Sequence, residues 1–286
     1  MTIRNPIEWS VDHIELTAHA LKSVGYALHP TDESFDRAQP QVRRIAISDV
    51  KDALLSGFHD FASYRTDVIF ICLIFPLIGL VLANLTLSFG ALPLLLPLIF
   101  GFALVGPFAA AGLYEMSRGQ EQGKPVSWTD AFGVFSSPSI ASIIKLGLLL
   151  SGIFVLWLAA ALVIYQATLG PAIPTSIPAF ATEVFTTSAG WTFIGIGVGI
   201  GAVFALVVLA IGAVSFPLLL DRHVSISTAI ETSIRAVLIN PVPMLIWGLI
   251  VMSALVLGTI PALVGLIVVM PVLGHATWHL YRKIVR

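Results

Sequence analysis

Residues 191–218 read WTFIGIGVGIGAVFALVVLAIGAVSFPL, without a single charged residue or histidine. An α-helix needs about 20 apolar residues to cross roughly 30 Å of hydrocarbon, so this run predicts a membrane-spanning helix. Five further runs of similar character stand to either side of it, at residues 68–85, 92–113, 140–165, 242–257 and 262–280. Lys145 is the one Lys, Arg, Asp or Glu inside any of the six. Backbone groups cannot go unpaired in lipid, which makes each run a helix.

The composition of the whole chain agrees. Of 286 residues 57 % are hydrophobic and only 11 % charged, with a mean hydropathy of +0.95. Soluble domains run at about 45–50 % apolar and about 25 % charged. The expected class is therefore an all-α membrane protein of six transmembrane helices. Residues 1–45 are expected to form a polar cytoplasmic arm and residues 46–286 the membrane domain. No secretory signal peptide is expected, because the first 66 residues hold charges throughout and no apolar core. The single cysteine, Cys72, excludes an internal disulfide and an iron–sulfur cluster built from this chain alone.

The basic residues orient the helices. Arg4, Lys22, Arg37, Arg43, Arg44, Lys51 and Arg65 precede the first run. Arg118, Lys124 and Lys145, then Arg222 and Arg235, then Arg282, Lys283 and Arg286 fall after every second crossing. All 15 Lys and Arg thus lie on one side, while the opposite loops at 84–91, 166–190 and 258–261 carry none. The positive-inside rule places both termini in the cytoplasm of a multi-pass inner-membrane protein.

The cytoplasmic segments also resemble one another. Asp49, Ser127 and Ser225 each stand four residues before an alanine, Ala53, Ala131 and Ala229. All three are residue types that cap helices, since a side-chain oxygen can accept from the free N–H groups of the first turn. In the first copy Val50, Leu54, Phe58 and Phe61 share a helical face, opposed by Lys51, Asp52, His59 and Asp60. In the third, Ile226, Ile230, Ile234 and Val237 are opposed by Glu231 and Arg235. Such helices suit a membrane surface. The expected unit is a surface helix followed by a helical hairpin, at about 48–116, 126–222 and 224–283. Three parallel copies imply a pseudo-threefold axis along the membrane normal. Convergent composition is the competing explanation, because serine caps and membrane prolines are common.

Several segments resemble a bacterial integral-membrane family catalogued as domain of unknown function 2189. They are Val42-Arg43-Arg44-Ile45, Asp60-Phe61 with Arg65-Thr66-Asp67-Val68, Gly106-Pro107-Phe108 leading to Gly112-Leu113-Tyr114-Glu115, Ser215-Phe216-Pro217-Leu218-Leu219-Leu220-Asp221-Arg222, and the segment Pro271 to Arg282. The resemblance spans roughly residues 42–286. It implies a membrane protein and brings no mechanism with it. Some members carry a label as putative cytochrome c oxidase, which the residues test.

A haem-copper catalytic subunit needs several intramembrane histidines. Of His13, His19, His29, His59, His223, His275 and His279, only the last two lie in a predicted span, so that role is excluded. An accessory or assembly role beside such an enzyme stays open. His275 and His279 stand at i and i+4, a spacing at which one helix face can hold a metal ion. They are the sole metal candidates, and the favoured reading makes them interfacial anchors beside Trp278 and Tyr281 or hydrogen-bonding partners for neighbouring helices. No haem or stoichiometric metal is expected. Gly195, Gly197, Gly199 and Gly201 lack the strand and the Lys-Ser/Thr of a phosphate loop, and are expected to let neighbouring helices approach closely. Glu115, Arg118, Glu121, Asp130, Asp221 and Arg222 are expected to form a cytoplasmic layer of ion pairs. The loop at 166–190, with Phe180 and Phe185 around Glu183, is expected to cap the outer face.

No catalytic or cofactor constellation is present in the pattern, and no cofactor is expected. The expected function is a non-enzymatic scaffold or accessory subunit contacting lipid and other membrane proteins, with no nucleic-acid partner. The alternative is a transporter or channel for a small or lipidic solute. A continuous polar cavity would favour the alternative, and a filled axis with an apolar flank the scaffold.

Overall fold

The helix richest in buried residues is the last one, and the chain is arranged around it. The computed structural model describes residues 40–63, 69, 72–88, 91–95, 97–98, 101, 106–108, 110–124, 126–172, 174 and 176–286. Most of the expected polar arm, with His13, His19 and His29, lies outside them, as do parts of the first two expected spans. Among the described residues there are ten α-helices and two 3-10 segments, and no strand beyond one isolated bridge. We number the helices α1 (Ile47–Ser63), α2 (Ile74–Ser88), α3 (Ala111–Glu121), α4 (Ile140–Thr168), α5 (Ile177–Thr186), α6 (Ser188–Gly212), α7 (Ser215–Asp221), α8 (Ile226–Ile239), α9 (Pro241–Thr259) and α10 (Leu266–Ile284). The 3-10 segments are Leu92–Leu94 and Trp128–Ser136.

Three helical segments are long and apolar enough to cross a membrane. They are α4 with 29 residues, the α6–α7 segment Ser188–Asp221 with 34, and α9 with 19. Of the other expected spans, α2 is described over 15 residues. The last, α10, is 19 residues long and carries Arg282 and Lys283 in its final turn. It also begins at Leu266, later than expected. The tight turn before it uses Ala262 and Leu263 in the left-handed region, at φ 50° and 68°. Gly258 and Gly265 close it: a Cβ on Gly265 would lie 2.8 Å from the Gly258 Cα.

The run that opened the sequence is one helix with a break near its inner end. Pro217 has no N–H to offer Ala213, and its ring crowds that carbonyl. The helix accordingly divides between Gly212 and Ser215. The neighbouring α8 supplies the missing partners. Val214 N donates to Ser233 Oγ at 3.2 Å, and Ser215 Oγ donates to Ala229 O at 3.0 Å.

The surface helices seat themselves differently from expectation. Asp49 is not the N-cap of α1, which starts at Ile47. Its carboxylate instead accepts from Ala46 N at 2.8 Å, the reach-back of a third-position residue. Ser127 N is bound in the same way by Asp130 at 2.6 Å, and Ser225 does cap α8 through Thr228 N at 3.1 Å. The buried face of α1 is Val50, Ala53, Gly57 and Asp60, while Phe58 is 56 % exposed. The buried face of α8 is likewise small and polar: Ala229, Thr232, Ser233 and Ala236. Small residues win because they let backbones meet. A Cβ on Gly57 would lie 2.6 Å from the Ala276 Cβ of α10, and one on Gly274 would lie 2.6 Å from Leu113 Cδ1 of α3. The larger apolar side chains are left to face lipid.

The chain entering α1 is tied down at both edges. Val42 and Val285 form an antiparallel bridge, with Arg43 N donating to Ile284 O at 2.8 Å and Arg286 N to Gln41 O at 3.0 Å. Asn240, at the α8–α9 junction, accepts from Ile45 N at 2.8 Å and donates to Arg43 O at 2.9 Å. On the outer side, α5 covers the helix ends as a cap. Phe180 and Val184 are buried with Tyr165 and Leu92, although Phe185 points outward at 62 % exposure.

Gly57→Val is expected to lower the unfolding midpoint in detergent, with an overpacking cost of about 1–3 kcal/mol. Gly195→Ala, where a Cβ meets nothing within 4 Å, should leave the midpoint unchanged in the same melting experiment.

Candidate functional site

Three helices bring one polar cluster together in the protein interior. Asp60 comes from the last turn of α1, Ser117 from the middle of α3, and His275 and His279 from successive turns of α10. Ser117 Oγ donates to Asp60 Oδ2 at 3.0 Å and lies 2.7 Å from His275 Nδ1. His279 Nε2 lies 2.8 Å from the same Asp60 oxygen. Asp60, Ser117 and His275 are buried, and His279 reaches the edge. A hydroxyl has one proton to give. With that proton on Asp60, His275 Nδ1 carries the hydrogen shared with Ser117, and its Nε2 is left with no hydrogen-bond partner.

This arrangement decides between the two structural roles expected of the histidine pair. Rather than anchoring at the headgroups, the two imidazoles serve as hydrogen-bonding partners to helices on opposite sides of α10. Their cluster nitrogens are engaged by Ser117 and Asp60. Among the described residues no group of three or more His, Cys, Asp or Glu is placed to hold a metal ion. Cys72 is buried, and His59 is exposed on α1. Ser117 is 2 % exposed and its hydroxyl is hydrogen-bonded to both Asp60 and His275.

One turn further along α10, the polar layer expected on the cytoplasmic side contains an ion-pair lattice. Arg282 Nε lies 2.9 Å from Glu121 Oε1 and its Nη1 3.3 Å from Asp221 Oδ2. Trp278 Nε1 donates to Glu121 Oε2 at 3.1 Å, and Tyr281 OH donates to Asp221 Oδ2 at 2.6 Å. Arg118 pairs with Glu115 at 3.3 Å and Arg222 with Asp221 at 3.9 Å, whereas Asp130 is used locally by Ser127. Of the expected layer residues, Glu121 and Asp221 are the two joined between helices, both through Arg282. A polar notch of about 370 Å³ opens here, lined by Asp60, Ser117, Gln120, Glu121, His279 and Arg282.

A second opening is larger and apolar. It measures about 890 Å³ and lies between α4, α6, α9 and α10, with no charged residue among the described residues that line it. Of the four glycines of α6, Gly197 and Gly201 line it. Among the described residues nothing lies within 4 Å of a Cβ at Gly195, Gly197 or Gly199, whereas one at Gly201 would lie 3.1 Å from the Trp157 ring. Close approach of neighbouring helices was expected at these glycines, and among the described residues it is seen at Gly201. Only 6 % of the most apolar stretch of Ser188–Asp221 is buried, which leaves the rest of that surface open.

Residues 95–221 match the family described as predicted integral membrane protein (DUF2189). This is a DUF2189 segment. It supplies Ser117, Glu121 and Asp221, while Asp60, His275 and His279 come from outside it. No curated protein and no solved structure matches the chain. The DUF2189 assignment and the three long apolar helices together make the chain an integral membrane protein with several crossings. Sequence reasoning missed Asp60 and Ser117 as members of the cluster. The available signal was the register Val50, Ala53, Gly57, Asp60, which puts a carboxylate on a small-residue stripe.

Replacing Asp60 with alanine leaves Ser117 and His279 without their acceptor, and should cost about 1–3 kcal/mol of stability. A double-mutant cycle with His279→Gln in detergent unfolding should give a coupling of at least about 0.5 kcal/mol. A second expectation concerns pH. The Ala46 N–H, and after it Lys283 Nζ at 3.1 Å, hold the Asp49 carboxyl below the usual carboxylate range. Stability from a lowered carboxyl is present above its unfolded value of about 3.9, and is lost as pH falls through the lowered folded value. The first turn of α1 should therefore loosen in hydrogen exchange on acidification through that window, and Asp49→Asn should remove the step.

Proposed function

We propose that this DUF2189 protein is a non-enzymatic scaffold or accessory subunit of the inner membrane, built to contact other membrane proteins. The reading includes six crossings in three parallel repeats about a pseudo-threefold axis, with both termini cytoplasmic. Its support on topology is the one-sided placement of every Lys and Arg. The observation that carries the functional part is the glycine face of α6. Small residues in a membrane helix allow another helix to approach closely, and among the described residues nothing lies within 4 Å of a Cβ at Gly195, Gly197 or Gly199. The non-enzymatic part of the reading is supported by the buried cluster, in which the Ser117 hydroxyl is held between Asp60 and His275 and His279 binds Asp60. An accessory role beside a respiratory oxidase fits this reading, with the histidines serving structure.

The transporter or channel alternative retains one observation in its favour. The 890 Å³ opening is apolar along its length, which suits a lipidic solute and not an ion.

Purification of the full chain in a mild detergent should recover it bound to a second membrane protein or to a second copy. Replacing Gly195 and Gly199 by leucine should abolish that association while leaving the melting curve in place. A solitary wild-type monomer, or an association that survives the leucines, would reject the scaffold reading.

A further inference from the structure

The apolar opening has a length, a closed end and a polar end, which together define an occupant. Along α6 its lining runs from Phe193 to Ala213. At 1.5 Å per residue that is about 30 Å of helix, the full hydrocarbon thickness of a bilayer at roughly 30 Å. Phe180 and Val184 of α5 close the outer end, and the hydroxyl-bearing side chains Tyr114 and Thr277 stand at the inner end. The sides are open to lipid: Val198 and Leu206 on α6, and Leu245 and Leu249 on α9, both line the cleft and are exposed. The cleft is therefore continuous with the lipid-facing surface of the protein, and what enters it comes from the bilayer.

Two constraints narrow the choice. A phospholipid acyl chain covers one leaflet, about 15 Å, half of the hydrocarbon thickness. A single chain filling the cleft must be about twice that long. No charged side chain is present among the described residues of the lining, so a phosphate or ammonium head inside it would be left unpaired at high cost. Thr277 Oγ1 donates to Leu273 O at 2.6 Å and is hydrogen-bonded to Tyr114, so the two oxygens serve an uncharged head as acceptors for one hydroxyl.

We propose that the cleft between α6 and α9–α10 is a binding site for an isoprenoid-class lipid, a long hydrocarbon chain with a small uncharged head at Tyr114 and Thr277. This goes beyond both functional readings, since a scaffold or a carrier could hold such a lipid. Wall positions on α6 are small at Gly197 and Ala205, and a Cβ at Gly197 meets nothing among the described residues within 4 Å, which leaves room there for methyl branches.

The test uses the purified full chain in mild detergent, incubated separately with hexaprenol, farnesol and dioleoyl phosphatidylethanolamine, with retained lipid read by native mass spectrometry. Hexaprenol should be retained at one per chain, at least about tenfold more tightly than either competitor. Gly197→Phe and Ala205→Phe, which fill the cleft, should each abolish retention, and Tyr114→Phe should weaken it. Gly197 is the safer of the two filling variants, because a Cβ there meets nothing within 4 Å. Its unchanged melting curve keeps the test valid if Ala205→Phe fails to fold. Equal retention of phosphatidylethanolamine or farnesol, no retention of hexaprenol, or hexaprenol retained by a folded Gly197→Phe variant would each overturn the proposal. None of these outcomes bears on protein association through Gly195 and Gly199, so the two readings fail separately.

Discussion

A carboxylate buried to 4 % exposure is the constraint on which the polar half of this protein turns. An unpaired charge at the Asp60 position would be costly to bury. It is tolerated because Ser117 and His279 reach the same oxygen from two other helices. Those hydrogen bonds require close approach, and that depends on what is missing from the helices: Gly57 opposite Ala276, and Gly274 opposite Leu113. With α1 on one side and α3 on the other, α10 is left with His275, Trp278 and Tyr281 enclosed. Everything further along the helix follows from that seat. Arg282 can then span Glu121 and Asp221, and Lys283 can reach Asp49 and Asp52.

The same geometry explains why the chain ends meet. Once α1 lies antiparallel on α10, the residue before α1 and the residue after α10 are neighbours, and Val42 bridges Val285. Asn240 adds a third strand of restraint by reading the backbone on either side of Arg44. These contacts join residues 195 to 243 positions apart, and they fasten the entry to α1 to the end of α10 and to the α8–α9 junction.

Apolar length was the legible part of the sequence: three of the apolar runs appear as α4, α6–α7 and α9 at close to their expected bounds. Caps were legible where a serine carried them, at Ser127 and Ser225. They were misread at Asp49, because a carboxylate that closes the first turn from the third position has the same local sequence as one that opens it. Amphipathic pattern misled more deeply. In water the large apolar face of a helix is the buried one, and that rule picks Phe58 and Ile234. At a membrane surface those side chains already have an apolar medium, so burial goes to Ala53, Gly57, Ala229 and Ser233, which permit contact between backbones. The glycines of α6 were misread for the complementary reason. Their spacing shows that close approach is allowed, but not which helix, or which molecule, approaches.

The two halves of the molecule are consequently held by different forces. At the polar end, hydrogen bonds and ion pairs of defined geometry fix α1, α3, α7 and α10. Towards the opposite end, α6 leans on Trp157 and on the cap through Phe193, with rings at 5.6 Å from Trp157 to Phe204 and 6.4 Å from Phe180 to Phe193. Helices in lipid gain no hydrophobic driving force from contact with each other, because lipid tails are equally apolar. A helix such as α6, with small residues and no polar link along its outer length, can stand apart from α9 at little cost. The gap it leaves is the cleft. Its inner limit lies where Pro217 breaks the helix and α8 takes hold of Val214 and Ser215. The position of that proline therefore fixes where the rigid polar half stops and where the lipid-accessible half begins.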